Sequence, residues 1–339
     1  MKPTIQQIAD LAGVSRGTVD RALHNRGRVD PKVAGRIFEI AESLNYIPPR
    51  RPKRASRKIR IGFVTFLSER VFSGEINKGI EQAKEELAQW GIEILIEKCV
   101  SISEIDQLNA INNLVDKGIQ GLALMPVDSE LIRSRLNELS NQLDIPTVTF
   151  NTDIVGTKRI CFIGMDNKKS GRVAAGLMGM LTSGTGSILI ITGSFANNAY
   201  SQRVDGFIEE LKAAYPSIKI AGVQCAFDNM TELESILEST FLNSSGISGI
   251  LITSSGQDGV ETAFQKLNLN KRPFVIFYDM TPCTAKALQD NIADFVIEQD
   301  CFSQGYNAAY ALANILVKKQ YPPQEFLYTD IEIKTKYNI

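Results

Sequence analysis

The stretch from Thr4 to Pro48 is punctuated so closely that it admits only short helices. Thr4 opens the first, with Gln7 three positions on, the spacing of a capping box. Ile8, Leu11 and Ala12 then share one face, and Gly13 suits the left-handed stop that follows. Ser15 caps a second helix, and Val14 is placed to pack on Val19 across that cap. Asp30-Pro31 supplies cap and first-turn proline for a third helix, whose Val33, Ile37, Ile40 and Leu44 recur at helical spacing. Two helices joined by the tight turn Ala12-Gly13-Val14-Ser15 have the signature of a helix-turn-helix.

Charge supports a division of labour along the chain. The 339 residues carry a net charge of −1, yet residues 1–60 hold 14 Lys/Arg against 5 Asp/Glu, and the remainder 23 against 33. A basic head on an acidic body is what a polyanion-binding module joined to something else looks like. At this length two or three domains are expected. Five cysteines (99, 161, 225, 283, 301) form no CxxC pair and read as reduced, packed thiols of a cytoplasmic protein. The N-terminus lacks the apolar core of a signal peptide and no apolar run approaches a membrane span, so cytoplasmic residence without a membrane partner is expected.

From Ile59 onward the rhythm changes to alternating apolar strands and amphipathic helices. Strand-like runs fall at 59–66, 92–97, 121–125, 146–150, 187–192, 249–253, 274–278 and 294–299. Stretches of helical period separate most of them, such as Ile76 to Trp90 and Glu104 to Lys117. Alternating βα units imply doubly wound parallel sheets with helices on both faces. Trp90, before Gly91, reads as a packing residue. KGIQGLALM at 117–125 also resembles SGISGILIT at 245–253, and PTVTF and PFVIF follow at nearly equal distances. Two half-chains with the same order of elements predict two similar lobes.

In open parallel sheets ligands sit beyond the carboxyl ends of the strands. Asn151 and Asp153 lie just past one such end, Asp279 past another, and Gln299 where the chain would cross between lobes; Arg203 opens a helix. No catalytic constellation accompanies them. The single histidine, His24, lies in the head, so the body has no Ser-His-Asp or Cys-His relay and no histidine-based metal site. Gly184-Thr185-Gly186 lacks the rest of a phosphate loop, and Asp128 and Glu130 read as helix caps. The expectation is a protein that is not an enzyme and uses no cofactor and no metal.

The run IADLAGVSRGTVDRAL, followed by LNYIP, resembles the DNA-binding head of lac-repressor-type (LacI family) bacterial regulators over the first ~50 residues. The resemblance implies that the second helix reads the major groove, with Arg16 and Arg21 as base readers and Ser15, Thr18 and Asn25 on phosphates. Thr4, Gly17 and Arg28 complete the DNA-facing set; Gly17 stands where relatives often carry a larger side chain. Asp20 replaces a commoner serine. Residues 48–60, with three prolines and seven basic side chains, form the linker. In the family this segment folds into a hinge helix that wedges a leucine into the minor groove. Pro52 and the missing leucine depart from that pattern, and Arg51 and Arg54 are the expected substitutes in a narrow minor groove.

The body is similar to the ribose-type periplasmic sugar-binding fold, through FIGMDNKKSGRVAAG, the stretch 203–207 and EQDCFSQGYNAA. By this resemblance Arg203, Asp279 and Gln299 match the most diagnostic pocket positions, and Phe72 one stacking ring. Ser73 stands where ribose binders place a second aromatic, Arg70 where they have asparagine, and Asn151 where they have aspartate. These departures point away from ribose itself, and Arg70 suits an acidic or phosphorylated sugar. Asp153, Phe227 and Tyr278 are further candidates.

The expected organisation is a helix-turn-helix domain (1–48), a basic hinge (49–58) and a two-lobed, periplasmic-binding-protein-like effector and dimerisation domain (59–339). The function implied is a transcriptional regulator, most simply a repressor, whose binding to a partly palindromic double-stranded operator is controlled by a small sugar. No C-terminal heptad run follows the body, so a homodimer is expected. The competing class is a solute-binding protein of a sugar transporter, which would call for a signal peptide and no helix-turn-helix. A third is a sugar-modifying α/β enzyme.

Overall fold

The computed structural model describes residues 3–23, 29–44, 46, 58–66, 71–195, 197–244 and 246–339, with the side chains of 71–73 outside that description. Contacts divide the chain into two units, Met1–Arg57 and Lys58–Ile339.

The first unit holds α1 (Ile5–Ala12), α2 (Arg16–Leu23) and α3 (Pro31–Ser43). The Thr4–Gln7 capping box forms in both directions, and Gly13 ends α1 at φ 65. Asp30 caps α3 through Lys32 and Val33, with Pro31 in the first turn. Ile8, Ala12, Val19, Ala22, Ile37 and Ala41 make the small core, with Val14, Val33, Ile40 and Leu44 packed against it. Leu11 departs from expectation: it is 57% exposed. The buried stripe runs through Ile5, Ile8, Ala9 and Ala12, the i, i+3, i+4, i+7 set, and leaves Leu11 on its flank.

The second unit is two lobes built on the same plan. The first begins with β1 (Ile59–Phe66), α4 (Val71–Ala88), β2 (Ile92–Cys99), α5 (Glu104–Asp116), β3 (Gly121–Leu124), α6 (Glu130–Gln142), β4 (Thr147–Phe150) and β5 (Cys161–Met165). The chain then crosses through α7 (Asn167–Leu181) to β6 (Gly186–Thr192), α8 (Asn198–Ala214), β7 (Ile218–Cys225), α9 (Met230–Asn243), β8 (Ile247–Ile252), α10 (Asp258–Leu267), β9 (Phe274–Tyr278), α11 (Pro282–Gln289) and β10 (Phe295–Glu298). It returns with α12 (Cys301–Ala313) and gives each sheet one last edge strand, β11 (Phe326–Thr329) and β12 (Glu332–Lys334).

Among the described residues the sheets run β11-β5-β4-β3-β1-β2 and β12-β10-β9-β8-β6-β7. Strand for strand the orders correspond, and every pairing is parallel except β10 with β12. The repeated GIxG motif leads into β3 and β8 and the two proline-led runs fall on β4 and β9, as the internal echo predicts. β5, β7, β11 and β12 correspond to none of the strands expected from sequence. β7 alternates its burial at a sheet edge, and the last two strands are short and mostly exposed.

Each crossing helix packs into the lobe it enters: α7 in the core with Ile188 and Ile190, α12 in the core with Ile61 and Phe63. The α7–α8 contact is backbone to backbone. A Cβ on Gly171 would lie 2.1 Å from the Arg203 carbonyl oxygen, and one on Gly206 2.0 Å from that of Lys168. Only glycine permits this approach, and it sets the position of α8, which carries Arg203. Trp90 meets Tyr310 edge-on, with Lys318 over its ring, at the foot of the first lobe. The five cysteines are free thiols, three of them buried.

Candidate functional site

Two surfaces carry the residues singled out from sequence. On the head, α2 turns Val19 and Ala22 inward and leaves Ser15, Arg16, Gly17 and Arg21 exposed. The Ser15 hydroxyl accepts from the Thr18 amide at 3.2 Å and lies 2.9 Å from the Thr18 hydroxyl. Arg21 reaches the same Thr18 oxygen at 3.5 Å. At Gly17 a Cβ would meet nothing closer than the Ser15 hydroxyl at 3.8 Å, so this position is open surface. Thr4 is engaged in its cap. Asn25, Arg28, Arg51 and Arg54 lie outside the described residues, as does nearly all of the 49–58 hinge.

The second surface is a cavity of about 300 Å³ between the lobes of the body. Its lining comes from the carboxyl ends of strands: Phe66 at the end of β1, Val100 and Ile102 after β2, Met125 after β3, Asn151 after β4. The other lobe contributes Tyr200 and Arg203 from α8, Asp228 after β7, Ser255 after β8, Asp279 after β9 and Gln299 after β10. This is where a parallel sheet leaves room for a ligand, and the volume is at the small end for such sites.

Asn151 and Asp279 occupy equivalent places. Each ends the fourth strand of its lobe in the left-handed region, at φ 63 and 66. Each donates its amide across to the next strand, to the carbonyls of Ile163 and Ile297. Asn and Asp tolerate that conformation better than other side-chain-bearing residues, which turns the chain and directs both side chains to the cavity they line. Gln299 joins them, donating Nε2–H to Asp279 Oδ1 at 2.6 Å.

Arg203 is 3% exposed. Its Nε donates to Asn167 Oδ1 at 2.8 Å and its Nη1 to the Thr253 carbonyl at 2.9 Å, while the guanidinium lies 4.3 Å from the Tyr278 ring centroid. Nη2 has no partner among the described residues, so its two N–H donors are left at the cavity wall. Tyr278 is buried beneath the arginine with its hydroxyl 3.1 Å from that of Ser170. Burial pushes the Tyr278 hydroxyl up to about 12, against the opposing pull of Arg203. Tyr200 donates its hydroxyl to Asp228 at 3.0 Å, and the Ser255 amide donates to the same carboxylate oxygen at 2.9 Å.

Asn151, Arg203, Asp279 and Gln299 are thus brought together. Asp153 is not: its carboxylate faces away and takes Arg159 at both oxygens, at 2.6 and 2.5 Å, and the Thr149 hydroxyl at 2.7 Å. It lines a separate cavity of about 180 Å³ with Arg159, Glu325, Phe326 and Tyr328. Phe227, at φ 51 and 68% exposed, stands away from the cleft lining. Tyr278 supports the arginine from below and does not line the cavity. Arg70 and the side chains of Phe72 and Ser73 lie outside the described residues. Sequence reading missed Tyr200, Asp228 and Ser255, although the strand-end rule, applied to β7 and β8 as it was to β4 and β9, points at the last two. Among the described residues no helix is long and apolar enough to cross a membrane and no acidic, histidine or cysteine cluster could hold a metal.

Comparison with known proteins gives two matches that divide the chain as its contacts do. Residues 61–320 match the periplasmic binding protein domain, and residues 4–49 the bacterial regulatory proteins of the lacI family. Among curated relatives, the probable HTH-type transcriptional repressor ExuR of Bacillus subtilis is 28% identical over 222 residues, 64% of this chain and 62% of its own length. The HTH-type transcriptional repressor PurR of Vibrio vulnificus is 25% identical over 213 residues, 62% of this chain and 61% of its own. The chain therefore spans somewhat under two thirds of the relatives it matches. Among solved structures, a sugar-binding protein of a Bacillus halodurans sugar ABC transporter superposes with a TM-score of 0.75 at 21% identity, over 82% of this chain and 98% of that one. A solute-binding protein from Burkholderia graminis in complex with D-arabinose does so at 0.75 and 23% identity, over 83% and 96%.

Proposed function

Because the chain belongs to the periplasmic binding protein domain family and carries a lacI-family regulatory domain at its head, we propose that it is a DNA-binding transcriptional regulator whose operator affinity is set by a small sugar bound between the lobes. The observation that carries this reading is that one chain holds both a helix-turn-helix with Arg16, Gly17 and Arg21 exposed on its second helix and Ser15 exposed just before it, and a polar cleft at the strand ends of a two-lobed body. The named relatives are repressors, which supports repression as the output. The superposed structures are solute-binding proteins and favour a transport role for the body alone; the head favours regulation for the whole.

In this reading Arg16 and Arg21 contact base edges, where a guanidinium bonds guanine O6 and N7 together, and Ser15 and Thr18 contact phosphates. Two copies on a two-fold axis engage the halves of a partly palindromic operator. In the cleft, Asn151, Asp279, Gln299 and Arg203 bond sugar hydroxyls, and Tyr200 offers a ring to the C–H face. Sugar binding shifts the balance between lobe arrangements, and operator affinity follows by linkage.

The test separates the two surfaces. Binding to a duplex taken from upstream of the protein's own gene is followed by fluorescence anisotropy, and a panel of pentoses, hexoses, polyols and sugar phosphates is screened by thermal shift. Arg16→Ala is expected to lower operator affinity tenfold or more and leave the sugar response intact, with Asp279→Ala doing the reverse. Equal loss of both activities in either variant, or no salt-sensitive preference for any duplex, overturns the reading.

A further inference from the structure

A carboxamide donates at one end and accepts at the other, so a chain of buried amides has a polarity, fixed wherever it meets a group that can only accept. Such a chain runs behind the cleft and spans both lobes. Gln304, one turn into α12 and fully buried, donates Nε2–H to the backbone carbonyl of Gln299 at 2.7 Å. That carbonyl accepts only, and it takes the Thr329 hydroxyl as well, at 2.9 Å. Gln304 is therefore held in one orientation, with Oε1 turned to Asn151, whose Nδ2 donates to it at 3.0 Å. Reversing the Asn151 amide would set oxygen against oxygen, so Oδ1 is the end it keeps for the cavity.

The neighbouring amide is fixed by the same logic. Gln299 Oε1 receives Asn151 Nδ2 and Gln304 Nε2, both at 3.4 Å, which commits Gln299 Nε2 to Asp279 Oδ1 at 2.6 Å. Asp279 Oδ2 has no partner among the described residues. One wall of the cavity thus offers two acceptors, Asn151 Oδ1 and Asp279 Oδ2, flanked by the second Nε2–H of Gln299, for which no described residue is a partner.

We propose that Gln304, which does not line the cavity, is the positioning residue that fixes the hydrogen-bond polarity of this wall, and that the wall selects ligands presenting adjacent hydroxyl donors to Asn151 and Asp279. The inference rests on the reading of the cleft as a sugar site and deepens it. A sugar or polyol carrying a diol at this end satisfies both acceptors. An ether oxygen, a carbonyl or a fluorine there meets acceptor against acceptor, and an unmatched buried polar group is costly.

The experiment uses the full chain and whichever sugar of a panel (D-ribose, L-arabinose, D-xylose, D-glucose, D-galactose, D-galacturonate, D-mannitol) gives the largest thermal shift, with affinities from titration calorimetry. Among its mono-deoxyfluoro analogues, at least one is expected to bind tenfold or more weakly, because fluorine does not donate. Gln304→Met removes the anchor and is expected to weaken the parent sugar tenfold or more while compressing the difference between sugar and fluoro analogue.

Gln304→Glu gives the readout that simple loss of packing would not move. Ionised, the carboxylate opposes the Gln299 carbonyl; protonated, it donates there and still accepts from Asn151. Taken relative to the parent protein at each pH, which removes the titration of Glu298 beside Asp279, its affinity is therefore expected to be poor at pH 8 and to recover several-fold toward pH 5.5, with Gln304→Met showing no such recovery. A sugar that binds Gln304→Met as tightly as the parent protein, or fluoro analogues that all bind as well as the sugar, overturns this inference and leaves the sugar reading standing. If no member of the panel binds, the sugar reading itself fails and takes this one with it.

Discussion

At the residue scale, the most instructive pair is Asn151 and Asp153. Spacing puts both just past a strand, but Asn151 in the left-handed region reverses the chain, and two residues later Asp153 meets Arg159 rather than the cleft. The Arg159 side chain is 5% exposed and that of Asp153 13%, with Glu325 adding a third oxygen at 3.1 Å and the Phe326 ring 5.1 Å from the guanidinium. Removing one partner of a pair buried this deeply leaves an uncompensated charge, at a cost of about 3–5 kcal/mol. Asp153→Ala is therefore expected to lower the unfolding free energy by about that much in urea titrations while changing sugar affinity less than threefold. A variant of normal stability that has lost sugar binding would put Asp153 back in the site. The cleft residues at β4, β9 and β10 were legible because strand ends are where parallel sheets bind. The direction of a side chain two residues into the following turn was not, since it depends on a single backbone dihedral.

At the element scale, long apolar strands announced themselves and short edge strands did not. β12 has three residues, two of them charged, and its place is fixed by pairing with β10 rather than by any pattern of its own. That pairing has an electrostatic consequence. Glu298 stands directly opposite Glu332 in the antiparallel register. Burial, then the nearby Asp279 carboxylate, pushes Glu298 up to about 7, against the pull of Lys334. The folded state thus holds this proton more tightly than the unfolded chain does. Glu298 contributes stability that is complete below its ordinary value near 4.5 and is lost as pH rises through about 7. Discounted for solvent at this half-buried position, the effect is of order 1 kcal/mol, or roughly 2–4 °C in Tm. Glu298→Gln, neutral throughout, should melt close to the parent protein at pH 5 and above it by that margin at pH 8. A difference that stays constant across the range would show that Glu298 is not the titrating group.

At the scale of the whole molecule, duplication was legible because two lobes with one strand order repeat their motifs at nearly one spacing, on β3 and β8 and again on β4 and β9. How a sugar in such a body could govern a helical head is a question of free energies. A ligand shifts an equilibrium only by its differential affinity for the two states, typically 1–3 kcal/mol between coupled sites, or 5–150-fold. In the proposed reading a single three-helix head reads one half-site whatever the body has bound. A second head on the same operator binds at an effective concentration that linkage and geometry determine, and a change in that quantity alters affinity without touching any base contact. Sugar is therefore expected to change affinity for a duplex with both half-sites 5–150-fold and to leave affinity for a single half-site unchanged, as read by anisotropy at one fixed salt concentration. By reciprocity the two-half-site duplex must alter sugar affinity by the same factor, and the isolated half-site must not. An equal response on both duplexes would place the control inside each head and remove the need for a dimer.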